Sequence, residues 1–256
     1  MIKHLDRIRK LANISTYAKV VSDNNFPKAT GLSSSASGFA ALSYAASKAA
    51  GLNLSEKQLS ILSRQGSGSA CRCACGGIVQ WLDGDTSETS YSKSLYDSHY
   101  WDIRDVIAVV DEGKKSISST AGHTTARSSI FYQSRQDNLP KKIKALKNAL
   151  KKKDFTQLGE IAEGDALEFH TILLTSHPAL IAWYPGTIEV MLAVQAMRKE
   201  GVEAYFTINT GFNVHILTLP ENEKKVRSRL QKLPLVQKTL IAKIGEKPKF
   251  LTKHLF

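Results

Sequence analysis

The residue types able to do chemistry fall into four short stretches. The first, Pro27 to Leu42, reads PKATGLSSSASGFAAL and sets Gly31 and the adjacent serines Ser33, Ser34 and Ser35 just before a helical pattern. Glycine allows close backbone approach, serines supply hydroxyls, and the unpaired N–H groups of a helix's first turn converge at the positive end of its dipole. That combination suits a phosphate, although a serine-rich helix cap has the same composition. It is not a Walker A loop, because G-x-x-x-x-G-K-[ST] is absent.

The second stretch, GSGSACR, Gly66 to Arg72, offers small residues, the hydroxyls of Ser67 and Ser69, and one guanidinium. An arginine fork grips a carboxylate or phosphate through two parallel hydrogen bonds. In isolation the stretch reads equally well as a turn with a surface arginine. The third, DEGKKSISST, carries Lys114, Lys115, Ser118 and Ser119 and reads by itself as a polar loop. The fourth, INTGFN, Ile208 to Asn213, reads by itself as a hairpin connection. Cys71, Cys73 and Cys75 lie within CRCAC, an odd number without a C-x-x-C pair, and are expected to be reduced and apolar in character with no metal bound.

The elements that must position these groups follow from periodicity. A helix is expected over residues 2–12, a short strand at YAKVV, a helix from about Ser35 to Ala50 ended by Gly51, and a capping box at Ser55 and Gln58 opening a helix to about Arg64. GGIVQWL and IRDVIAVVD read as strands with a polar loop between them. Helices follow at about 120–135, 138–152, 155–175 and 186–200. The strand pair VEAYFTI and NVHILTL comes next, then a helix from about Glu221 and a last strand, TLIAKI. Without regular βαβ alternation, this order predicts an α+β protein in two lobes, residues 1–120 and 121–256, with a boundary near 112–125.

At 256 residues and 42% hydrophobic, the chain can bury a real core. Neither a membrane span nor a signal peptide is expected, so the default location is cytoplasmic. The net charge of +12, from 35 Lys plus Arg against 23 Asp plus Glu, suits a nucleic acid or a small polyanion. Much of the excess sits in KKIKALKNALKKKD, where Ile143, Leu146 and Leu150 share one helical face with Leu139 just before it and the lysines form a solvated one. No aromatic interleaving there supports single-strand stacking.

Taken together and in order, PKATGLSSSASGFAAL, SRQGSGSACR followed by GGIVQW, KKSISSTAGH and FTINTGFNV resemble the diphosphomevalonate decarboxylases of the GHMP kinase superfamily. The resemblance runs from about Tyr17 to Leu219 and takes in EGDALEFH and HPALIAWYPGTIEVM. It implies a two-lobed GHMP kinase-like fold, with an incomplete N-terminal lobe of the ribosomal protein S5 domain 2-like type and a C-terminal ferredoxin-like α/β lobe. It implies ATP and Mg²⁺ as cofactors, mevalonate diphosphate as substrate, no nucleic acid or membrane partner, and a homodimer. The reaction implied is phosphorylation of the tertiary 3-hydroxyl, then loss of phosphate and CO₂ to give isopentenyl diphosphate.

By the same resemblance Gly31, Leu32, Ser33, Ser34, Ser35, Ala36 and Ser37 form the ATP phosphate loop, with Ser34 and Ser35 facing the phosphates. Ser69 contacts substrate and phosphate, Arg72 holds the substrate carboxylate, and Lys114, Ser118 and Ser119 belong to a loop near the phosphates. Two departures stand out. The family's fourth motif, Asp-x-Gly-Pro-Asn, orients or deprotonates the 3-hydroxyl through its aspartate; here that catalytic position is Asn209, and the proline is Phe212. An amide cannot take up the proton. The family also begins with strands bearing a Lys-Tyr-Trp-Gly-Lys type motif that this chain does not contain, so a start placed inside a longer frame or a decayed copy is expected. The rival readings are a non-catalytic phosphate-binding relative and an enzyme acting on a related mevalonate phosphate.

Overall fold

In the computed structural model the described residues are 1–26, 30–113, 122, 124–251 and 255. They divide into two compact units that are not contiguous in sequence. One comprises Met1–Lys28, Ser33–Tyr100 and Ile244–Phe256, the other Ala29–Leu32 and Trp101–Lys243.

The first unit opens with α1, Ile2–Ala12, which ends where Asn13 takes a left-handed conformation. Its buried face, His4, Leu5 and Ile8, packs on α2, Ser34–Ala49, where small residues (Ala36, Ala40, Ser43 and Ser47) allow close approach. His4 Nε2 lies 2.8 Å from Ser43 Oγ across that contact. The expected capping box is present: Ser55 Oγ accepts from the Gln58 N–H at 3.3 Å and Gln58 Oε1 from the Ser55 N–H at 2.9 Å, opening α3, Glu56–Gly66. A short α4, Ala70–Cys73, follows.

Strand β1, Ile78–Trp81, pairs antiparallel with β2, Ser92–Tyr96. The expected polar loop between the two predicted strands therefore holds a strand. Its sequence, SKSLY, has little β character; the ladder to β1 and the bond from Ser92 N–H to the buried Ser60 Oγ, 2.8 Å, hold it instead. Conversely, YAKVV forms no strand. Tyr17 is 88% exposed, and among the described residues no strand pairs with this segment, which a strand requires.

The second unit is built on a four-stranded antiparallel sheet ordered β4-β5-β3-β6, comprising Ala204–Thr207, Val214–Thr218, Arg104–Val109 and Lys238–Lys243. Alternation sends Val106, Ala108, Phe206, Val214 and Ile216 to one face, where they meet Val190, Val194 and Met197 of α7, Pro185–Lys199, and Val226 and Leu230 of α8, Pro220–Leu230. The register places Asp105, Tyr205, Thr207 and His215 on the other face.

Two further helices precede α7 in this unit: α5, Tyr132–Lys152, and α6, Phe155–Leu174. The expected break between helices at 120–135 and 138–152 does not occur, because α5 runs through Pro140. Arg135 and Lys142, on either side of that proline, both pair with Asp165 and Glu168 of α6, which holds the two halves in line. Of residues 120–135 before α5, a 3₁₀ turn covers Ala126–Ser128. The lysine-rich face is likewise not wholly solvated: Lys142 serves α6, while Ile143, expected on the apolar face, is exposed.

Helix α6 packs on the edge strand β4, where a side chain at Gly159 would enter the Tyr205 ring. Glu163 and Arg198 close that edge. The carboxylate accepts from the Phe206 N–H at 3.2 Å and from Arg198 at 2.7 and 2.8 Å, while Arg198 donates to the Ala204 carbonyl at 2.8 Å. An unpaired strand edge is thereby satisfied from within. Among the described residues no helix is long and apolar enough to cross a membrane.

Candidate active site

The serines at the start of α2 stand on a left-handed residue. Ser33, the N-cap, has φ 58° and makes no side-chain cap bond to the helix. The helix opening therefore turns sharply and keeps its N-terminal dipole uncovered by its own cap. Ser35 Oγ, exposed, lies 3.3 Å from Ser67 Oγ, which brings the first and second stretches together within one unit. Ser37 folds back to donate to the Ser34 carbonyl at 3.2 Å.

Ser69 is the N-cap of α4, and Arg72 leaves that helix exposed. The Arg72 guanidinium lies 5.9 Å over the Trp81 ring and makes no ion pair among the described residues. A planar cation that is stacked yet unpaired keeps its fork for an incoming anion. The three cysteines beside it are free. Burial, with a contribution from Glu56, pushes the Cys75 thiol up to about 12, the reverse of what a thiolate ligand needs. Among the described residues no group of His, Cys, Asp and Glu is placed to hold a metal ion.

The other half of the motif set lies in the second unit. Here Gly31, φ 90°, packs against the fourth stretch so closely that a Cβ on it would sit 2.6 Å from the Gly211 Cα. Buried Asn213 fixes that contact with its whole amide. Its Oδ1 accepts from the N–H groups of Val110, 2.8 Å, and Asp111, 3.2 Å; its Nδ2 donates to the carbonyls of Thr30 and Asp111, each 3.0 Å away. One side chain thus ties the start of the phosphate-type loop, the end of β3 and the 208–213 turn together. Thr187 Oγ1, at the start of α7, adds a bond to the Phe212 carbonyl at 2.6 Å. Phe212 itself is buried and stacks on Tyr184 at 4.4 Å, which accounts for an aromatic ring where the resemblance has proline.

Asn209 sits between two imidazoles. The His170 Nε2–H donates to the Asn209 carbonyl at 2.8 Å, and His170 stacks on Trp183. Burial holds His170 down at about 4, only partly offset by that bond, so the ring is neutral at physiological pH. On the side-chain end, Asn209 Nδ2 and His215 Nε2 are 3.5 Å apart, and His215 Nδ1 lies 2.8 Å from Asp105 Oδ2. Burial disfavours charge on His215, but the Asp105 carboxylate outweighs it through charge and hydrogen bond and holds the ring above the usual histidine value.

Sequence reasoning missed His170, His215, Asp105 and Asn213 as members of this site. Asn213 and His215 were within reach, one inside the fourth stretch and one just after it. Asp105 was not, because only the β3–β5 register brings it to His215. Lys114, Ser118 and Ser119 lie outside the described residues.

The helix opening on a left-handed serine, with hydroxyl donors and a stacked, unpaired guanidinium, has the donor chemistry that a nucleotide polyphosphate and an anionic substrate require. Comparison with known proteins agrees. Residues 1–92 match the diphosphomevalonate decarboxylase-like N-terminal domain, and residues 105–252 the mevalonate 5-diphosphate decarboxylase C-terminal domain. A diphosphomevalonate decarboxylase of Candida albicans is 36% identical over 83% of this chain and 60% of its own length. A phosphomevalonate decarboxylase of Haloferax volcanii is 33% identical over 87% and 68%. The chain thus spans about three fifths of the Candida protein.

Among solved structures, the mevalonate diphosphate decarboxylase from Enterococcus faecalis superposes with a TM-score of 0.88 at 36% identity, covering 96% of this chain and 75% of the other. A relative in complex with MVAPP, AMPPCP and magnesium gives 0.89 at 36% identity, over 96% and 76%. With both domain models matched in order and the α+β fold shared, this chain belongs to the diphosphomevalonate decarboxylase family.

Proposed function

We propose that the protein is an ATP-dependent decarboxylase of mevalonate 5-diphosphate, forming isopentenyl diphosphate by 3-phosphorylation followed by loss of phosphate and CO₂. The observation that carries this reading is the meeting of the two anion-type stretches at Ser35 and Ser67, beside a helix N-terminus and the unpaired Arg72. Residues 31–37 would hold the nucleotide phosphates through backbone N–H groups and hydroxyls. Mg²⁺ bound with the nucleotide would supply charge neutralisation at the transferring phosphoryl group. Ser69 and Arg72 hold the substrate, Arg72 by a two-point grip on the carboxylate. That grip aligns the C–C bond that breaks when phosphate leaves C3, and Lys114, Ser118 and Ser119 serve the phosphates. The basic net charge accords with so anionic a pair of ligands. The same reading makes the protein a cytoplasmic homodimer.

The test is a coupled assay for ADP and CO₂ with mevalonate 5-diphosphate, ATP and Mg²⁺. Equal yields of both products are expected, and ADP without CO₂ would make the protein a kinase of a related substrate. Asn209 favours one second reading, a relative that binds phosphates without turnover. That reading predicts nucleotide binding by calorimetry with neither product formed, and activity appearing on Asn209→Asp.

A further inference from the structure

The 3-hydroxyl must lose a proton as it attacks the γ-phosphorus, and Asn209 stands at the position of the family's carboxylate without a group able to take it. Among the described residues, the basic atom in contact with that amide is His215 Nε2, 3.5 Å from Asn209 Nδ2. The opposite ring nitrogen is fixed by Asp105 Oδ2 at 2.8 Å, which orients the imidazole with Nδ1 carrying the proton and the Nε2 lone pair directed to Asn209. Asn209 is exposed and so open to ligand, while the His215 side chain, 14% exposed, is anchored behind it by Asp105.

We propose that His215, oriented by Asp105, is the general base of the phosphorylation step, replacing the carboxylate that position 209 lacks. The inference rests on the functional reading above. The O–H bond of the tertiary alcohol breaks and its proton passes to His215 Nε2, directly or through one water. The oxygen forms a bond to the γ-phosphorus, the bond from that phosphorus to the β,γ-bridging oxygen breaks, and ADP departs with the electron pair. Asn209 then serves to hold the hydroxyl by hydrogen bonding, its main chain pinned by His170.

On the strands flanking His215, the ionisable groups of the same sheet face are Asp105 on β3, in contact, and Tyr205 on β4, two residues from His215's cross-strand partner Thr207. On helix α6, which packs against β4, Glu163 is committed to Arg198 and His170 to the Asn209 carbonyl. Asp105 is therefore the carboxylate that sets the titration of His215, and its Oδ1 has no hydrogen-bond partner among the described residues.

The experiment combines turnover with histidine NMR on the chain, His215→Gln, Asp105→Asn, Asn209→Asp and the His215→Gln/Asn209→Asp double variant. In the wild type, kcat/KM should rise with pH through the His215 titration seen by NMR. Mevalonate 5-diphosphate alone should shift the His215 resonances. His215→Gln should lose the rise and roughly 10²- to 10⁴-fold in rate, and the double variant should recover it with the rise moved to about pH 4, the carboxylate range. Asp105→Asn should move the His215 titration and the rate profile together to lower pH, which covers the case of a misfolded glutamine variant. A wild-type rate and profile in His215→Gln, or no NMR response to the substrate, overturns the proposal while leaving the functional reading intact. Absence of turnover in the wild type and in Asn209→Asp overturns both.

Discussion

Arg72 is the residue to which the proposed function gives the grip on the substrate carboxylate. It is stacked on Trp81 and has no ion-pair partner among the described residues, although carboxylates are present elsewhere in the same unit. Replacing it by lysine keeps the charge and removes the planar fork. Arg72→Lys is expected to raise KM for the diphosphate substrate by roughly 10- to 100-fold, since a charge-assisted two-point grip becomes a single point. KM for ATP should change little. Steady-state kinetics on each substrate checks this, and equal effects on both would assign Arg72 to the nucleotide. Arg72 could be singled out as a candidate because GSGSACR is a local signal; the His215–Asp105 pair could not, because it depends on strand register across a long separation in sequence.

At the scale of elements, two local contacts give measurable consequences for stability. A methyl group at Gly31 must adopt φ 90° and meet the Gly211 backbone at 2.6 Å. Gly31→Ala should therefore cost about 1–3 kcal/mol in urea unfolding and weaken nucleotide binding, because strain at the loop's root reorients the residues that follow. At the sheet's edge, Glu163→Gln removes the charge that pairs with Arg198 and weakens the bond to the Phe206 N–H. A loss of about 3 kcal/mol is expected there, as for other buried pairs broken from one side. Hydrogen exchange should show the Phe206 amide exposed first. Helix boundaries within these elements were largely legible, since capping residues and glycine stops act locally: Ser55 with Gln58, and Gly51 and Gly201, both at positive φ. Strand β2 and the uninterrupted α5 were not, because a partner strand and a neighbouring helix's carboxylates decided them.

For the molecule as a whole, the buried histidines set how stability responds to acid. His170 stays neutral in the folded state down to about pH 4, whereas the unfolded chain takes up the proton near 6.5. As pH falls through that window the unfolded state binds more protons, so stability should drop by about 3 kcal/mol and then level off below about pH 4. His4, lowered chiefly by burial, acts in the same direction. His215 acts oppositely: raised by Asp105, it contributes stability below pH 6.5 that is lost as pH rises through its folded value. Urea unfolding from pH 8 to 4 should show the net loss on the acid side, and His170→Gln should flatten it.

The chain's residues and spacing were enough to settle the family and the α+β class and to single out two glycine- and serine-rich loops as candidates for an anion. Those properties reside in short contiguous stretches, where glycine conformation, hydroxyls and helix caps act over a few residues. Tertiary structure alone decided what surrounds Asn209. Two imidazoles flank it, from α6 and β5, and only the antiparallel pairing of β3 with β5 places Asp105 within hydrogen-bonding distance of His215. A substitution that reads as the loss of a base therefore stands, in the folded protein, beside a candidate for its replacement.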